Sequence, residues 1–159
     1  MAEDNAANKK WRPATNLVRG GTNRSNFAET NEGIFMTSGY VYDSAESAEA
    51  AFKGETARYI YSRYANPTVT MFEERLALLE GAEYCVGTSS GMAAVFASLL
   101  SQLKAGEQVV ASRALFGSCH YIIQDMLPNF GINVQFVDGT DLVQWEAALA
   151  TPTKAVFLE

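Results

Sequence analysis

The segment 89–92, Ser-Ser-Gly-Met, is the part of the sequence whose residue types best suit an anion. It lies between an apolar run, 84–88, and a run with helical spacing, so a strand is predicted to turn into a helix here. Such a turn directs free backbone N–H groups and the positive end of the helix dipole at a bound anion, and Ser89 and Ser90 add two hydroxyls. The segment therefore predicts a phosphate site. It also fits a simpler interpretation, a capping serine followed by a tight turn at Gly91.

Tyr61 and Arg63 form a second candidate site, just ahead of Asn66 and Pro67. A guanidinium can bind a phosphate through two parallel hydrogen bonds, and a tyrosine hydroxyl can donate another. The alternative interpretation is a tyrosine-rich packing strip that carries a solvated arginine.

Phe116 is the third candidate, because it lies in the loop after the carboxyl end of a predicted strand. An aromatic ring in that place can stack on a flat cofactor ring. The alternative interpretation is an ordinary core residue.

Other kinds of site are not supported by the residue patterns. Cys119 and His120 are sequence neighbours, so on a helix they point apart and do not form a nucleophile and base pair; His120 is assigned a structural role. Cys85 and Cys119 have neither a disulfide nor a metal spacing, and no metal site is predicted. The dinucleotide and P-loop glycine patterns are absent from the sequence.

The elements that must position these residues alternate between strand and helix. Residues 1 to about 40 show no sustained periodicity and predict an extended arm that needs a partner surface. Helices are predicted over 44–53, 67–80, 92–103, 122–130 and 141–150, and strands over 84–88, 108–111, 132–137 and 154–158. Pro128 is expected to bend or end the fourth helix. The pattern βαβαβαβ predicts an α/β fold with a parallel sheet covered on both faces.

Composition narrows the classes of partner. The chain has 159 residues, 48% of them hydrophobic, which suits one ordinary domain. A formal net charge of -6 argues against nucleic acid or an anionic membrane as partner. Residues 1–10 are polar and resemble no secretion signal or anchor, and no run is long enough to span a membrane. Because the two cysteines suggest no disulfide framework, a reducing, cytoplasmic location is expected.

The motifs taken in order carry a family resemblance. Tyr61-Ser-Arg63, Asn66-Pro-Thr68, Glu80-Gly-Ala82, Ser90-Gly-Met92 and Phe116-Gly117 resemble the cystathionine γ-synthase and methionine γ-lyase family of pyridoxal-phosphate (PLP) enzymes. The resemblance implies a PLP fold type I subunit, with an N-terminal arm over 1–64 that contacts a neighbouring subunit. The first part of the large cofactor domain, over 65–159, would follow.

The resemblance also implies roles for the candidate residues. Tyr61 and Arg63 are expected to hold the cofactor phosphate of the adjacent subunit. Gly91 and Met92, with Ser90 beside them, are expected to hold the phosphate of their own subunit. The active site would then be shared across a dimer, in a homo-oligomer that is a dimer of dimers. Phe116 stands where many family members have tyrosine, so ring stacking is kept and proton transfer by that hydroxyl is lost.

The implied reaction is a γ-replacement. Succinate leaves Cγ of an activated homoserine, sulfide takes its place, and homocysteine is released. The segments 115–119 and 141–149 favour this succinyl ester; an acetyl ester, cystathionine synthesis, γ-elimination and a non-catalytic cofactor-binding or dimerisation module are the alternatives.

By the family pattern the cofactor lysine lies beyond Glu159, as do the aspartate that pairs with the pyridine nitrogen and the arginine that binds the substrate carboxylate. No catalytic residue is therefore assigned in this chain. The sequence is expected to continue, or to need a complementary chain, and is expected to be inactive alone.

Overall fold

The computed structural model describes residues 11–159. Residues 1–10, and with them the expectation that no leader or anchor begins the chain, lie outside the described residues. The chain is divided into two compact units, with the boundary between Gly87 and Thr88. No helix within the described range is long and apolar enough to cross a membrane. The predicted boundary between an arm and a cofactor domain at 64/65 stays a prediction.

The second unit is built on a parallel sheet, as the alternating pattern predicted. Its strands are β1 (Gln108–Ser112), β2 (Asn133–Val137) and β3 (Ala155–Phe157). They are ordered β2-β1-β3, so both neighbours of β1 run parallel to it. Parallel neighbours must be joined by crossover connections, and helical segments lie between these strands in the sequence.

The side chains of β1 alternate between the two faces of the sheet, and both faces are covered by apolar side chains of other elements. Val109 and Ala111 are fully buried in a cluster with Leu99, Ile123 and Leu127. On the opposite face Val110 packs with Val137, Ala148 and Trp145. A strand buried on both sides needs this continuous apolar sequence, and the predicted α/β fold is confirmed.

The helices of this unit are α4 (Gly91–Leu100), α5 (Gly117–Tyr121) and α6 (Leu142–Leu149). The predicted helix over 122–130 is a π-helical turn, Ile122–Met126, followed by a 3₁₀ turn, Leu127–Phe130. Pro128 lacks the N–H that an α-helix would use, so the last turn changes its pattern.

The predicted inward face of α6 is wrong in part. Leu142 is 79% exposed and Leu149 is 46% exposed, whereas Ala148 is buried. Asp141 caps the helix through the amides of Val143 and Gln144. Trp145 and Ala148, three residues apart, then face the sheet.

The predicted strand over 84–88 is also wrong. These residues have no regular structure, and Tyr84 and Val86 are 80% and 78% exposed. Strand conformation requires a hydrogen-bonded neighbour, and within residues 11–159 the three strands of the sheet pair only with one another.

The first unit contains α1 (Pro13–Arg19), α2 (Ala45–Phe52) and α3 (Pro67–Glu80). The sequence predicted no helix before residue 44. The helix α1 has only seven residues, too short for a visible apolar period, and starts with a favourable proline at its first position. The other two helices match their predicted positions, with Ser44 and Asn66 as caps.

Part of the predicted arm is held against α3 of its own chain. The Arg75 Nε donates to the Gly20 carbonyl at 2.9 Å, and the same guanidinium pairs with Glu32. Met71 is buried on the face of α3 that meets Gly21, whereas Val69 and Phe72, predicted to face inward, are 45% and 57% exposed. The expected arm is therefore ordered in part by its own chain; its reach to a neighbouring subunit stays a prediction.

Gly21→Ala is expected to lower the free energy of unfolding by about 3 kcal/mol. Gly21 has a left-handed φ of 67°, and an added methyl group would lie 2.9 Å from the Met71 carbonyl oxygen and from Glu74 Cβ. The strained dihedral and the steric overlap each contribute about 1–2 kcal/mol. Urea denaturation of the variant and the parent measures the difference.

Gly81→Ala is the matched control. Gly81 has nearly the same φ, 65°, but no atom lies within 4 Å of the added methyl group. Only the dihedral term remains, so the loss should be about 1 kcal/mol. Equal losses in the two variants would show that Gly21 does not pack closely on α3.

Candidate functional site

Ser90 begins α4 as its N-cap residue. Its backbone is extended, with φ -163° and ψ 162°, and its hydroxyl oxygen accepts from the Ala93 N–H at 3.1 Å. The Thr88 hydroxyl donates to the Ser90 carbonyl at 2.8 Å and fixes the approach to the helix. The capping interpretation is thus correct, and it leaves the Ser90 hydroxyl hydrogen free to donate.

Gly91 and Met92 supply the first two amides of α4. Amides at these positions have no acceptor inside the helix, and the Ser90 hydroxyl serves Ala93 instead. Gly91 is exposed, with no other atom within 4 Å of the place a Cβ would take, while the Met92 side chain packs against the core. Two N–H groups without an acceptor inside the helix therefore lie at the positive end of a ten-residue helix, an arrangement that suits a phosphate.

Tyr61 and Arg63 lie in a tight turn of the first unit. The Tyr61 carbonyl accepts from the amides of Tyr64 and Ala65, and Tyr61 also forms an antiparallel bridge with Gly39. The buried Asn66 side chain donates to the Phe35 carbonyl and to the Ser62 hydroxyl. Hydrogen bonds on both sides thus hold the turn in place.

The guanidinium of Arg63 lies over two aromatic rings, 5.4 Å from the centre of Tyr61 and 4.9 Å from that of Tyr64. Among residues 11–159 the recorded ion pairs join other residues, so Arg63 has no carboxylate partner there. Arg63 and Tyr64 are exposed. The packing-strip interpretation is right about ring contact, and the guanidinium hydrogens stay available for an anion.

Phe116 is not a core residue. Its side chain is 65% exposed, although the sequence also allowed a core position. It precedes α5, in the loop that leaves the carboxyl end of β1. Its amide donates to the Glu159 side chain at 2.6 Å. An exposed ring at this edge of the sheet is in a suitable position to contact a flat ligand.

Cys119 and His120 contact different residues, in agreement with the prediction that adjacent side chains on a helix point apart. The Cys119 thiol donates to the Glu159 carboxylate, and this bond, with burial and the negative charge, raises the pKa of the thiol. The same bond, with the Phe116 N–H, lowers the pKa of Glu159. The His120 ring stacks on Phe136 with centres 4.9 Å apart, which is a packing role.

Glu159 is the residue that the sequence analysis missed. It was considered only as the end of the chain, because nothing local to it indicates a contact 43 positions away. Its place just beyond the carboxyl end of a predicted parallel strand was the one available signal.

The candidate residues fall in different units. Tyr61 and Arg63 belong to the first unit, and Ser90, Gly91, Met92 and Phe116 belong to the second. Each unit presents its own groups: a stacked guanidinium in the first, and a helix N-terminus with an exposed aromatic ring in the second.

Curated proteins with similar sequences are known. A curated protein of Mycobacterium tuberculosis, named O-succinylhomoserine sulfhydrylase, is 58% identical over 146 residues, which are 92% of this chain and 36% of that protein. A Pseudomonas aeruginosa protein of the same name is 45% identical over 91% of this chain and 36% of its own length. An L-methionine gamma-lyase of Fusobacterium nucleatum is 38% identical over 95% of this chain and 38% of its own length.

A solved structure from Campylobacter jejuni has the same fold over most of the chain. It is named as an O-acetylhomoserine (thiol)-lyase and contains pyridoxyl-lysine-5'-monophosphate. The two share 30% identity and a TM-score of 0.84, over 93% of this chain and 36% of the other. The chain thus spans little more than a third of the length of these relatives. The family model for Cys/Met metabolism PLP-dependent enzymes matches residues 14–159, and the chain belongs to that family.

Proposed function

We propose that the protein to which this sequence belongs carries out a PLP-dependent γ-replacement, in which O-succinylhomoserine and sulfide give homocysteine for methionine synthesis. The observation that carries the proposal is the N-terminus of α4, where the amides of Gly91 and Met92 have no acceptor inside the helix and follow directly on the Ser90 cap. The relatives named as O-succinylhomoserine sulfhydrylases favour the succinyl ester.

The residues present fit the phosphate of the cofactor. Gly91 and Met92 would donate two amide hydrogens, the Ser90 hydroxyl would donate a third, and the positive end of the α4 dipole would favour the negative charge. When bound, PLP supplies an electron sink for negative charge that develops on substrate carbon atoms.

Phe116 orients the cofactor without taking part in proton transfer. Its exposed ring can stack on the flat pyridine ring, and the side chain has no hydroxyl to donate or accept a proton. Proton transfer is therefore assigned to the cofactor lysine or to water, and not to residue 116.

Tyr61 and Arg63 are proposed to bind the phosphate of a neighbouring subunit. The Arg63 guanidinium is exposed, lacks a carboxylate partner within residues 11–159 and is oriented by two rings, so it is preorganised for an anion that approaches from outside. Exposed apolar side chains of the first unit support association with another copy. They include Phe27, Ile34, Met36 and Val41, each at least 80% exposed.

A second candidate within the family is the use of another substrate. Relatives and a similar structure named as methionine gamma-lyase and O-acetylhomoserine (thiol)-lyase favour it. Assays with O-succinylhomoserine or O-acetylhomoserine, each with sulfide or cysteine, and with methionine alone, separate a sulfhydrylase, a cystathionine γ-synthase and a γ-lyase. Faster turnover of O-acetylhomoserine than of the succinyl ester would refute the proposed substrate.

The proposal is tested first by the intact mass of the protein from its source, measured after borohydride reduction. We expect a mass well above 17.3 kDa, the mass of this sequence, and one covalently attached reduced cofactor. This sequence produced alone should bind PLP without a covalent link, because none of its five lysines lies in the family's lysine context: Lys9, Lys10, Lys53, Lys104 and Lys154. A source protein of 17.3 kDa without the adduct would point to a non-catalytic binding or dimerisation module.

A further inference from the structure

We propose that Glu159 is a positioning residue that fixes the Phe116 loop and so aims the Phe116 ring at the bound cofactor. The inference rests on the proposed function and adds to it a residue outside the family motifs found in the sequence. The contact that carries it joins the Glu159 carboxylate to the Phe116 N–H at 2.6 Å.

The sheet topology brings these two residues together. The strands β1 and β3 are parallel neighbours, with Ala111 opposite Phe157. The loop after β1 and the residues after β3 therefore leave the sheet at the same edge. Glu159 reaches across this edge and accepts from Phe116 and from the Cys119 thiol, one turn further along α5.

The Phe116 backbone has few other restraints on its amino side. The helix α5 has no side-chain cap of its own. The preceding loop is held by the bonds of Arg113 N to the Val137 carbonyl, Leu115 N to the Arg113 carbonyl and Ala114 N to the Ser112 hydroxyl, and Leu115 packs against the core. Because the ring is 65% exposed, packing does little to orient it. The bond to Glu159 is the long-range hydrogen bond recorded for the Phe116 amide itself, directly at the residue that carries the ring.

The carboxylate is suited to hold two donors at once. Its two oxygens have about four acceptor sites, so the amide and the thiol can both be served. Hydrogen bonds to an ionised group are about twice as strong as neutral ones, and the lowered pKa of Glu159 keeps the group ionised at neutral pH. A glutamine keeps one acceptor oxygen and loses the charge, whereas an alanine removes both.

The first test is hydrogen exchange at the Phe116 amide, resolved by mass spectrometry on the protein from its source. Glu159→Ala should speed exchange at least about tenfold, and Glu159→Gln should give a smaller increase. Glu146→Ala, which removes an exposed carboxylate on α6, should leave the Phe116 amide unchanged. Unchanged exchange in Glu159→Ala would overturn the inference, whatever the cofactor does.

The second test is the visible circular dichroism of the bound cofactor, which responds to the rings around it. Glu159→Ala should reduce the signal at equal cofactor content, and Glu159→Gln should restore part of it. Faster exchange with an unchanged dichroism signal would also overturn the inference, because the loop would then not orient the cofactor. A parent protein that contains no cofactor would instead refute the proposed function.

Discussion

Gly91→Pro is expected to weaken PLP binding by about 10- to 100-fold while leaving the stability of the fold nearly unchanged. Proline is well tolerated at the first position of a helix, and Ser90 already has the extended conformation that a residue before proline prefers. The substitution removes one N–H from the proposed phosphate site and adds no charge. A charge-assisted hydrogen bond contributes about 1.5–3 kcal/mol, which corresponds to this loss of affinity.

Gly91→Ala is the control for that variant. It adds a methyl group where no other atom lies within 4 Å and keeps the N–H. Its loss of affinity should be clearly smaller than that of the proline variant. PLP is titrated into the apoprotein from its source and binding is followed by visible absorbance; inorganic phosphate should compete with the parent. Equal affinities of the proline and alanine variants would show that the Gly91 amide does not contact the phosphate.

Arg63→Ala is expected to weaken PLP binding by a similar factor, about 10- to 100-fold, in the assembled protein. The reason is the loss of a two-pronged, charged contact with the phosphate. Arg63→Lys keeps the charge but loses the paired hydrogen bonds of the guanidinium, so its affinity for PLP should fall between those of the parent and the alanine variant. The same absorbance titration measures all three.

Arg58 offers a matched control within the same unit. Its guanidinium also lies over a tyrosine ring, 4.5 Å from the centre of Tyr42, but it donates to the Val41 carbonyl and to the Ser47 hydroxyl. Arg58→Ala should therefore leave the affinity for PLP unchanged. If Arg63→Ala behaves like Arg58→Ala, the proposed phosphate role of Arg63 is wrong.

A mixing experiment separates contact within a subunit from contact across subunits. Arg63→Ala and Gly91→Pro are combined as two single-variant proteins that are allowed to exchange subunits. If Arg63 serves the neighbouring site, one site of each mixed dimer regains both groups and part of the tight binding returns. Failure to recover any tight binding in verified mixed dimers would contradict a shared site.

The capped helices and the central strand of this protein were predicted from its sequence alone. Asn66 with Pro67, and Ser90 ahead of Gly91, specify helix starts because capping needs only side chains and amides a few residues apart. The run 108–111 was predicted as a strand, and the structure has the strand β1 there with four of its five residues buried. The order of these elements was enough to predict a parallel α/β fold, and the motifs were enough to identify the family.

Only the tertiary structure decided the features that depend on distant partners. The run 84–88 has strand-forming residues, but an extended segment becomes a strand only through pairing, and none of the described strands pairs with it. Which residues of α6 and α3 are buried depends on the elements against which each helix packs. The exposure of Phe116 and its bond to Glu159 arise because β1 and β3 are adjacent, an adjacency that no local pattern encodes.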